Sequence, residues 1–145
     1  MTIQVSKEDE FENVMKIVKK LMRNFKKAQY QKFGYTNLQV ESMILLLEVE
    51  KLNMNDVSDR MDLNRSTATK IMYALLKEGY IIKERDKKDG RVLYVYLTDK
   101  GKALAKEFKD QMKDYYAKVM ENLSGFNLKE AADSIMKIEQ AVESV

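Results

Sequence analysis

Proline is absent from this chain of 145 residues, and glycine occurs only five times. These two residues interrupt helices most often, so their scarcity permits long unbroken helices. The first helix is marked by apolar residues that recur at steps of three and four between Phe11 and Phe25. It is predicted to run from about Lys7 to about Phe33, where Gly34 ends it. The chain is therefore predicted to be mainly α-helical.

The second helix is predicted to be the most deeply buried one. Thr36 and Gln39 have the spacing of a capping box, in which each side chain accepts a hydrogen bond from the backbone of the other residue. The helix that begins there is predicted to run through Glu50. Residues 43–47 are all apolar, so most sides of this helix are hydrophobic, as in a helix that other elements surround.

Two short helices joined by a tight turn are predicted next. Asn53 can cap a helix over 54–61, and Asn64 can cap another from Arg65 to about Glu78. This arrangement defines the helix-turn-helix, whose second helix lies in the major groove of DNA with its N-terminal residues against the base edges. The sequence therefore predicts a DNA-reading helix that begins at Arg65.

A β-hairpin is predicted directly after the fourth helix, because the periodicity changes there to that of strands. Residues 80–85 and 92–97 are the two candidate strands, and the second is rich in valine, leucine and tyrosine. The polar segment between them contains Asp89-Gly90, a strong signal for a hairpin turn. A basic hairpin of this kind can contact the minor groove beside a recognition helix.

Positive charge is concentrated around the fourth helix and the hairpin. Residues 60–91 carry a net charge of +4, whereas 1–59 are neutral and 92–145 carry −1. A local excess of this kind is typical of a surface that binds phosphate. The predicted DNA-binding residues are Asn64, Arg65, Ser66, Thr67, Thr69, Lys70, Tyr73, Lys87, Lys88 and Arg91. Solvated cap residues and a salt-bridged hairpin are the alternative interpretation.

Two further helices are predicted to complete the chain. Thr98 can cap a fifth helix whose apolar stripe reaches Leu123, with Ser124 and Gly125 at its end, and Asn127 can cap a sixth. The first, fifth and sixth helices each present an apolar stripe, and leaving such surface in water costs roughly 25 cal/mol per Å². The predicted organisation is a single domain, 1–145, with a winged helix-turn-helix lobe at 36–98 and dimerisation helices at 1–35 and 99–145. A monomer whose terminal helices pack on each other is the alternative.

Residue types on which catalysis and metal binding depend are missing. The chain has no cysteine and no histidine, which removes thiol chemistry, the usual metal ligand and the usual general base near neutral pH. We therefore predict no enzymatic activity, no cofactor and no metal site. No apolar run reaches the roughly 18 to 20 residues that span a bilayer, and the N-terminus lacks a signal-peptide pattern, so a cytoplasmic protein without a membrane partner is expected.

Three stretches of this sequence resemble the MarR (multiple antibiotic resistance regulator) family, and together they span most of the predicted lobe. The first is similar to the start of the family's recognition helix, the second to the end of that helix, and the third to its wing, which is followed by a strand and a Leu-Thr-x-x-Gly helix start. They are 63–70 (LNRSTATK), 75–81 (LLKEGYI) and 85–91 (RDKKDGR) with 95–101 (VYLTDKG).

The resemblance implies a transcription regulator, acting as a repressor, that binds a pseudo-palindromic DNA operator as a triangular homodimer. The terminal helices would form the dimer region, and the two recognition helices would lie about 34 Å apart. A winged-helix module that binds protein rather than DNA is the alternative function. DNA affinity that depends steeply on salt would distinguish the two.

The resemblance also implies a small aromatic or anionic effector, bound between the dimer region and the DNA-binding lobe. The candidate lining residues are Met22, Tyr30, Tyr35, Tyr115 and Tyr116. Methionine and tyrosine at helical spacing more often belong to a core, and that interpretation stays open for each of them. The missing cysteine excludes the family's thiol-oxidation branch, and the missing histidine disfavours its zinc-sensing branch.

Overall fold

The computed structural model describes residues 3–145, which form six helices and three short strands. In chain order the elements are α1 Lys7–Phe33, α2 Asn37–Val49, β1 Leu52–Asn53, α3 Met54–Arg60, α4 Arg65–Lys77, β2 Ile81–Arg85, β3 Leu93–Leu97, α5 Asp99–Glu121 and α6 Leu128–Glu143. The predicted fold class, mainly α with a small β-hairpin in a winged helix-turn-helix, is confirmed. Within 3–145, no helix combines the length and the apolar character that a membrane span requires.

The chain forms two compact units, one up to residue 109 and one over residues 110–145. The first unit contains α1 to β3 with the first half of α5, and it holds the hydrophobic core. The second contains the rest of α5 and α6. The predicted division into a lobe at 36–98 and terminal dimerisation segments stays a prediction, and residues 1 and 2 of the first segment lie outside the described residues.

Side-chain caps set the helix starts, as the sequence predicts. At the start of α2, Thr36 accepts a hydrogen bond from the Gln39 N–H at 3.3 Å, and Gln39 accepts one from the Thr36 N–H at 3.0 Å. α1 begins with a second reciprocal pair, Ser6 and Asp9, that the sequence analysis did not identify. α1 ends at Phe33 with Gly34 as its C-cap, so its predicted bounds are confirmed.

α2 lies in the centre of the first unit's hydrophobic core, which confirms the prediction from its apolar run. Val40, Met43 and Leu46 are at most 2% exposed. The other buried members of the same cluster are Leu52, Val57, Ala68, Met72, Leu75, Ile81, Val95, Leu97, Ala105 and Phe108. They come from every element between β1 and α5, so the helix-turn-helix and the sheet are anchored on one helix.

The sheet has three strands rather than the predicted two. β2 and β3 pair antiparallel as the predicted hairpin, with Ile81 opposite Leu97. β1 pairs with the other edge of β3, with Leu52 opposite Val95, and gives the strand order β1-β3-β2. β1 was missed because a strand of two residues is too short to show a periodicity. Its pairing ties the segment between α2 and α3 to the base of the hairpin.

The predicted end of the fifth helix is wrong. α5 ends at Glu121, and Leu123, which was predicted on its apolar stripe, lies in the turn that follows. The N–H groups of Asn122 and Leu123 donate to carbonyls three residues back, at 3.0 Å in both cases. This tighter bonding replaces the α-helical pattern and brings the chain to the Asn127 cap of α6.

The end of α4 is tied directly to the start of α5. Gly79, with a left-handed φ of 79°, ends α4 and turns the chain. The Thr98 hydroxyl then donates to the Gly79 carbonyl at 2.8 Å and accepts from the Gly101 N–H at 3.0 Å. Gly101 lies so close to Tyr80 that a Cβ added there would overlap the Tyr80 carbonyl oxygen. This close approach is the physical reason for glycine in the Leu-Thr-x-x-Gly pattern.

We expect Gly101→Ala to lower the free energy of unfolding by about 1–3 kcal/mol, because backbone must move to admit the methyl group. In most helices the same change is stabilising. Chemical denaturation measures the difference. The matched control is Gly90→Ala, since Gly90 has open space around its would-be Cβ and should leave stability unchanged or raise it by up to about 1 kcal/mol. Equal stability of Gly101→Ala and the wild-type protein would contradict the close approach.

Candidate nucleic-acid interface

α3 and α4 form a helix-turn-helix with an asparagine at the start of each helix. The Asn53 side chain accepts a hydrogen bond from the Asp56 N–H, and that of Asn64 accepts one from the Thr67 N–H, both at 2.8 Å. In the turn between the helices, Asp62 has a φ of 52°, a left-handed conformation that asparagine and aspartate tolerate best after glycine. Both predicted caps are confirmed, and the cap of α4 fixes the first turn of the predicted DNA-reading helix.

α4 has one face in the core and one in solvent. Ala68, Met72 and Leu75 are at most 1% exposed and anchor the helix. On the other face the residues predicted to bind DNA lie at the surface: Asn64, Arg65, Ser66, Thr69, Lys70 and Tyr73 are exposed, and Thr67 is half-buried. Tyr73 has 61% of its surface in solvent. The first turn thus presents short hydroxyl side chains between two cations, Arg65 and Lys70.

The tip of the hairpin is organised by one carboxylate. Asp86 accepts hydrogen bonds from the N–H groups of Lys88 and Asp89, at 2.7 and 3.1 Å. Gly90 lies outside the left-handed region, so the turn is not the two-residue Asp-Gly type that the dipeptide commonly marks. The predicted hairpin is therefore correct, but the Asp86 side chain rather than the Gly90 backbone shapes its turn.

Cations surround this tip. Lys87, Lys88 and Arg91, all predicted to bind DNA, are exposed. The guanidinium of Arg91 pairs with the Asp89 carboxylate at 3.2 Å, so the aspartate orients the arginine while most of the arginine remains in solvent. Arg85 also donates from Nη1 to the Gly90 carbonyl at 2.7 Å. These contacts hold two arginines in place and leave the two lysines free to move.

One cation beside the hairpin was missed by the sequence analysis. Lys51 precedes β1, and its Nζ lies 4.2 Å from the centre of the Tyr94 ring on β3, a cation–π distance. It lines an open groove of about 420 Å³ with Lys87, Lys88 and three other hairpin residues. Lys51 is distant from the hairpin in sequence and reaches it only through the β1–β3 pairing, so no local pattern could have identified it.

The predicted effector residues are distributed over both units. Met22, Tyr30 and Tyr35 belong to the first, and Tyr115 and Tyr116 belong to the second, with their two rings 6.1 Å apart. Tyr30 is exposed and lines an open groove of about 360 Å³ with Lys26, Lys27, Thr36, Asn37 and Leu38.

Tyr35 is already engaged by the core. Its hydroxyl lies 2.9 Å from that of Tyr80, and its ring makes an edge contact with Phe108 at 5.4 Å. The hydrogen bond to Tyr80 raises the pKa of Tyr35 well above its ordinary value, with burial as the second cause. Tyr35 therefore stays protonated at neutral pH and joins α5 and the end of α4.

The middle of the chain matches a family model. The model describes the SarA/Rot transcriptional regulators and matches residues 24–108, which include the whole candidate interface. SarZ of Staphylococcus aureus (strain USA300), an HTH-type transcriptional regulator, is 30% identical over 129 residues, which cover 87% of this chain and 78% of SarZ. The transcriptional regulator AdcR of Streptococcus pneumoniae is 35% identical over 72 residues. That match covers 50% of this chain and 49% of AdcR, so it spans about half of that relative's length.

Solved structures share the fold. A variant of Escherichia coli MarR in complex with operator DNA superimposes with a TM-score of 0.80 at 12% sequence identity, covering 92% of this chain and 99% of that one. At this identity the likeness shows the fold alone. It extends beyond the winged helix to the terminal helices, because nearly the whole of both chains is covered.

We expect Asp86→Ala to loosen the hairpin tip, because the N–H groups of Lys88 and Asp89 lose their acceptor. Amide hydrogen exchange at these two positions should become faster, with the rest of β2 and β3 unchanged. Asp86→Asn is the matched control, since an amide oxygen can still accept both bonds. Equal protection in all three proteins would contradict the assigned role.

The pH dependence of the tip follows from the same contacts. The backbone hydrogen bonds from Asp89 and Lys88 hold the pKa of the Asp86 carboxyl below its ordinary value. The stabilisation of the tip is therefore fully present above the ordinary carboxyl pKa and is lost as the pH falls through the lowered one. Exchange protection of the tip should accordingly persist through neutral and mildly acidic pH.

Proposed function

Because this chain belongs to the SarA/Rot family of transcriptional regulators, which are of the MarR type, we propose that it binds a pseudo-palindromic DNA operator as a homodimer and represses transcription there. Repression is the simplest consequence of occupancy, since a bound protein excludes others from the same duplex. The site lies within the segment that the family model matches.

The observation that carries this proposal is the division of α4 into a buried and an exposed face. Ala68, Met72 and Leu75 fix the helix in the core, so the polar first turn is held rigidly in solvent. A recognition helix requires this arrangement, because base edges are read by side chains whose backbone does not move. The Asn64 cap adds stability at the end that would enter the groove.

The two parts of the interface suit different tasks. Ser66, Thr67 and Thr69 have short side chains that can hydrogen-bond base edges, and a threonine methyl can contact a thymine methyl. Lys87 and Lys88 on the hairpin are flexible point charges that suit phosphates. We assign sequence preference to the first turn of α4 and most of the affinity to the hairpin cations.

The homodimer is supported by apolar surface that the chain leaves exposed. α6 has no buried residue, and Leu128, Ile135 and Val142, which share one face, are each about half exposed. α1 exposes a comparable face, with Ile17 and Leu21 both at 59%. Patches of this kind mark interaction sites in proteins. A second copy would cover them and bring two recognition helices to the two halves of a palindrome.

Control by an effector follows from the resemblance and from one local feature. Tyr30 lines its groove beside Lys26 and Lys27, which combines an aromatic ring with positive charge, as a small aromatic anion requires. Such a ligand would release DNA only if it bound two conformations of the protein unequally. Thermal stabilisation by aromatic acids without release of DNA would argue against regulation.

The remaining assignments follow from the proposed role. The family comprises transcriptional regulators, and we assign this chain no reaction and no cofactor. Its site of action would be the cytoplasm, where an operator is accessible.

The test of DNA binding begins with selection of bound fragments from a random duplex pool, followed by affinity measurements over a salt series. Each protomer offers five candidate cations: Arg65, Lys70, Lys87, Lys88 and Arg91. If half of the dimer's cations neutralise phosphates, the slope of log affinity against log salt should be about −4 to −5. No selected fragment, or a flat salt response, would favour the protein-binding alternative.

Two single variants distinguish reading from attraction within the same assay. Thr69→Ala should relax preference at one base position by roughly 1–3 kcal/mol. Lys88→Ala should weaken all duplexes about equally and make the salt slope shallower by about 1 per site. If Lys88→Ala changed base preference and Thr69→Ala did not, the two roles would be reversed.

We expect Ile135→Glu on α6 to produce a monomer, because a buried unpaired carboxylate at the dimer contact is strongly unfavourable. Light scattering coupled to size exclusion measures the mass, and operator affinity should fall with it. Gln140→Glu is the matched control, with the same change in charge on the polar side of the helix. A dimeric Ile135→Glu protein would show that α6 lies outside the interface.

A further inference from the structure

The face of α1 opposite its apolar stripe is entirely basic over three turns. Successive residues of a helix are rotated by about 100°, which places six cations within an arc of about 120° and every apolar residue of this segment outside it. The six are Lys16, Lys19, Lys20, Arg23, Lys26 and Lys27, and we call them the α1 stripe. All six are exposed, and α1 contains no acidic residue after Glu12.

This arrangement is unfavourable in the isolated chain. Like charges three and four residues apart on a helix repel each other, and the stripe contains several such pairs, among them Lys16–Lys20 and Lys19–Arg23. Within residues 3–145, Lys16 is the only member with an ion-pair partner, Glu12 at 3.0 Å. Solvated helix faces normally mix both signs, as α5 does. The stripe therefore requires another explanation.

The stripe is separate from the helix-turn-helix and the hairpin. From Lys7 to Asn24 every residue of α1 is exposed except Met15, which is half-buried. Most of the stripe thus lies on the part of α1 that has little contact with the rest of its unit. The opposite face, with Ile17 and Leu21, is the one assigned above to a second copy, so a dimer would leave the stripe in solvent.

The shape and composition of the stripe favour one kind of partner. Between Lys16 and Lys27 the helix rises about 16 Å at 1.5 Å per residue, so the cations follow each other every 3 Å or so, and duplex DNA carries one negative charge per about 1.7 Å. The arc holds no apolar residue that could anchor a protein, and insertion into a membrane would need the opposite face. Five of the six cations are lysines, which suit phosphate contacts without base reading.

We propose that the α1 stripe binds the phosphate backbone of a second DNA duplex, separate from the operator and without regard to its sequence. The proposed function supplies the setting, because a protein held on DNA meets neighbouring duplex segments at high effective concentration. The protein would then connect two segments of DNA rather than occupy one.

The test uses an immobilised operator fragment that is saturated with protein and washed, after which a fluorescent duplex of unrelated sequence is added. The stripe variant replaces Lys19, Lys20 and Arg23 with glutamine, which keeps helix propensity and leaves the Tyr30 groove intact. The matched control replaces Lys113, Lys118 and Lys129, exposed lysines of the second unit. Both variants lower the net charge by three, so only the position of the charge differs.

The wild-type protein and the control should retain the second duplex, and the stripe variant should retain it about tenfold less strongly. Its salt slope for the second duplex should be shallower by up to about 2.7, at 0.9 per lost phosphate contact. Operator affinity should stay within about twofold, and the melting temperature should rise slightly because like charges have been removed.

Three outcomes would overturn the proposal: equal capture by the stripe variant and the control, no capture by wild-type protein at low salt, or a parallel loss of operator affinity in the stripe variant. Binding to vesicles of equal parts phosphatidylcholine and phosphatidylglycerol that depends on the stripe, without capture of duplex, would replace DNA with a lipid surface. If wild-type protein binds no operator, the proposed function fails. The stripe is then tested by direct binding of the unrelated duplex to the same two variants.

Discussion

The junction between the end of α4 and the start of α5 is the constraint on which the first unit depends. One hydroxyl, that of Thr98, bonds both to the Gly79 carbonyl and to the Gly101 N–H. It joins the last turn of the recognition helix, the outer ends of β2 and β3 and the first turn of α5. Gly101 allows the backbones to touch there, and Tyr35 supports the same point from α1's end through its bond to Tyr80. The recognition helix and the hairpin therefore share one rigid base.

Rigidity decreases from this base toward the DNA-facing surface. The first turn of α4 is fixed by buried neighbours and by the Asn64 cap, so its short side chains keep a defined position. The hairpin tip has no buried apolar residue and is held by the Asp86 carboxylate. A site that reads bases needs the first kind of order, whereas phosphate contacts tolerate the second, because a long lysine side chain can adjust to the backbone it meets. The physical difference between the two regions matches the division into specificity and affinity.

Local chemistry was predictable from the sequence, and long-range pairing was not. The caps at Asn53, Asn64 and Thr36 were identified correctly, because a cap depends on a side chain and a backbone N–H only three residues away. β1 and the position of Lys51 were missed, because both depend on β3, about forty residues further along the chain. The hairpin was predicted from Asp89-Gly90 although Asp86 shapes its turn, since several polar sequences can close the same two strands. The contact of the exposed α6 face involves a second molecule, so the chain alone could suggest it but not define it.

α1 links these levels, because neither of its faces is satisfied within one chain. Its apolar face is as exposed as that of α6, and its basic face carries repulsion that only one ion pair reduces. A helix of this length gains most of its stability from tertiary packing rather than from propensity, and over its first 18 residues α1 has little packing inside its own unit. The first half of α1 should therefore become fully ordered through assembly, with a second copy on one face and a polyanion on the other. In that arrangement DNA binding and dimerisation would stabilise the same helix, so each would strengthen the other without direct contact between the two sites.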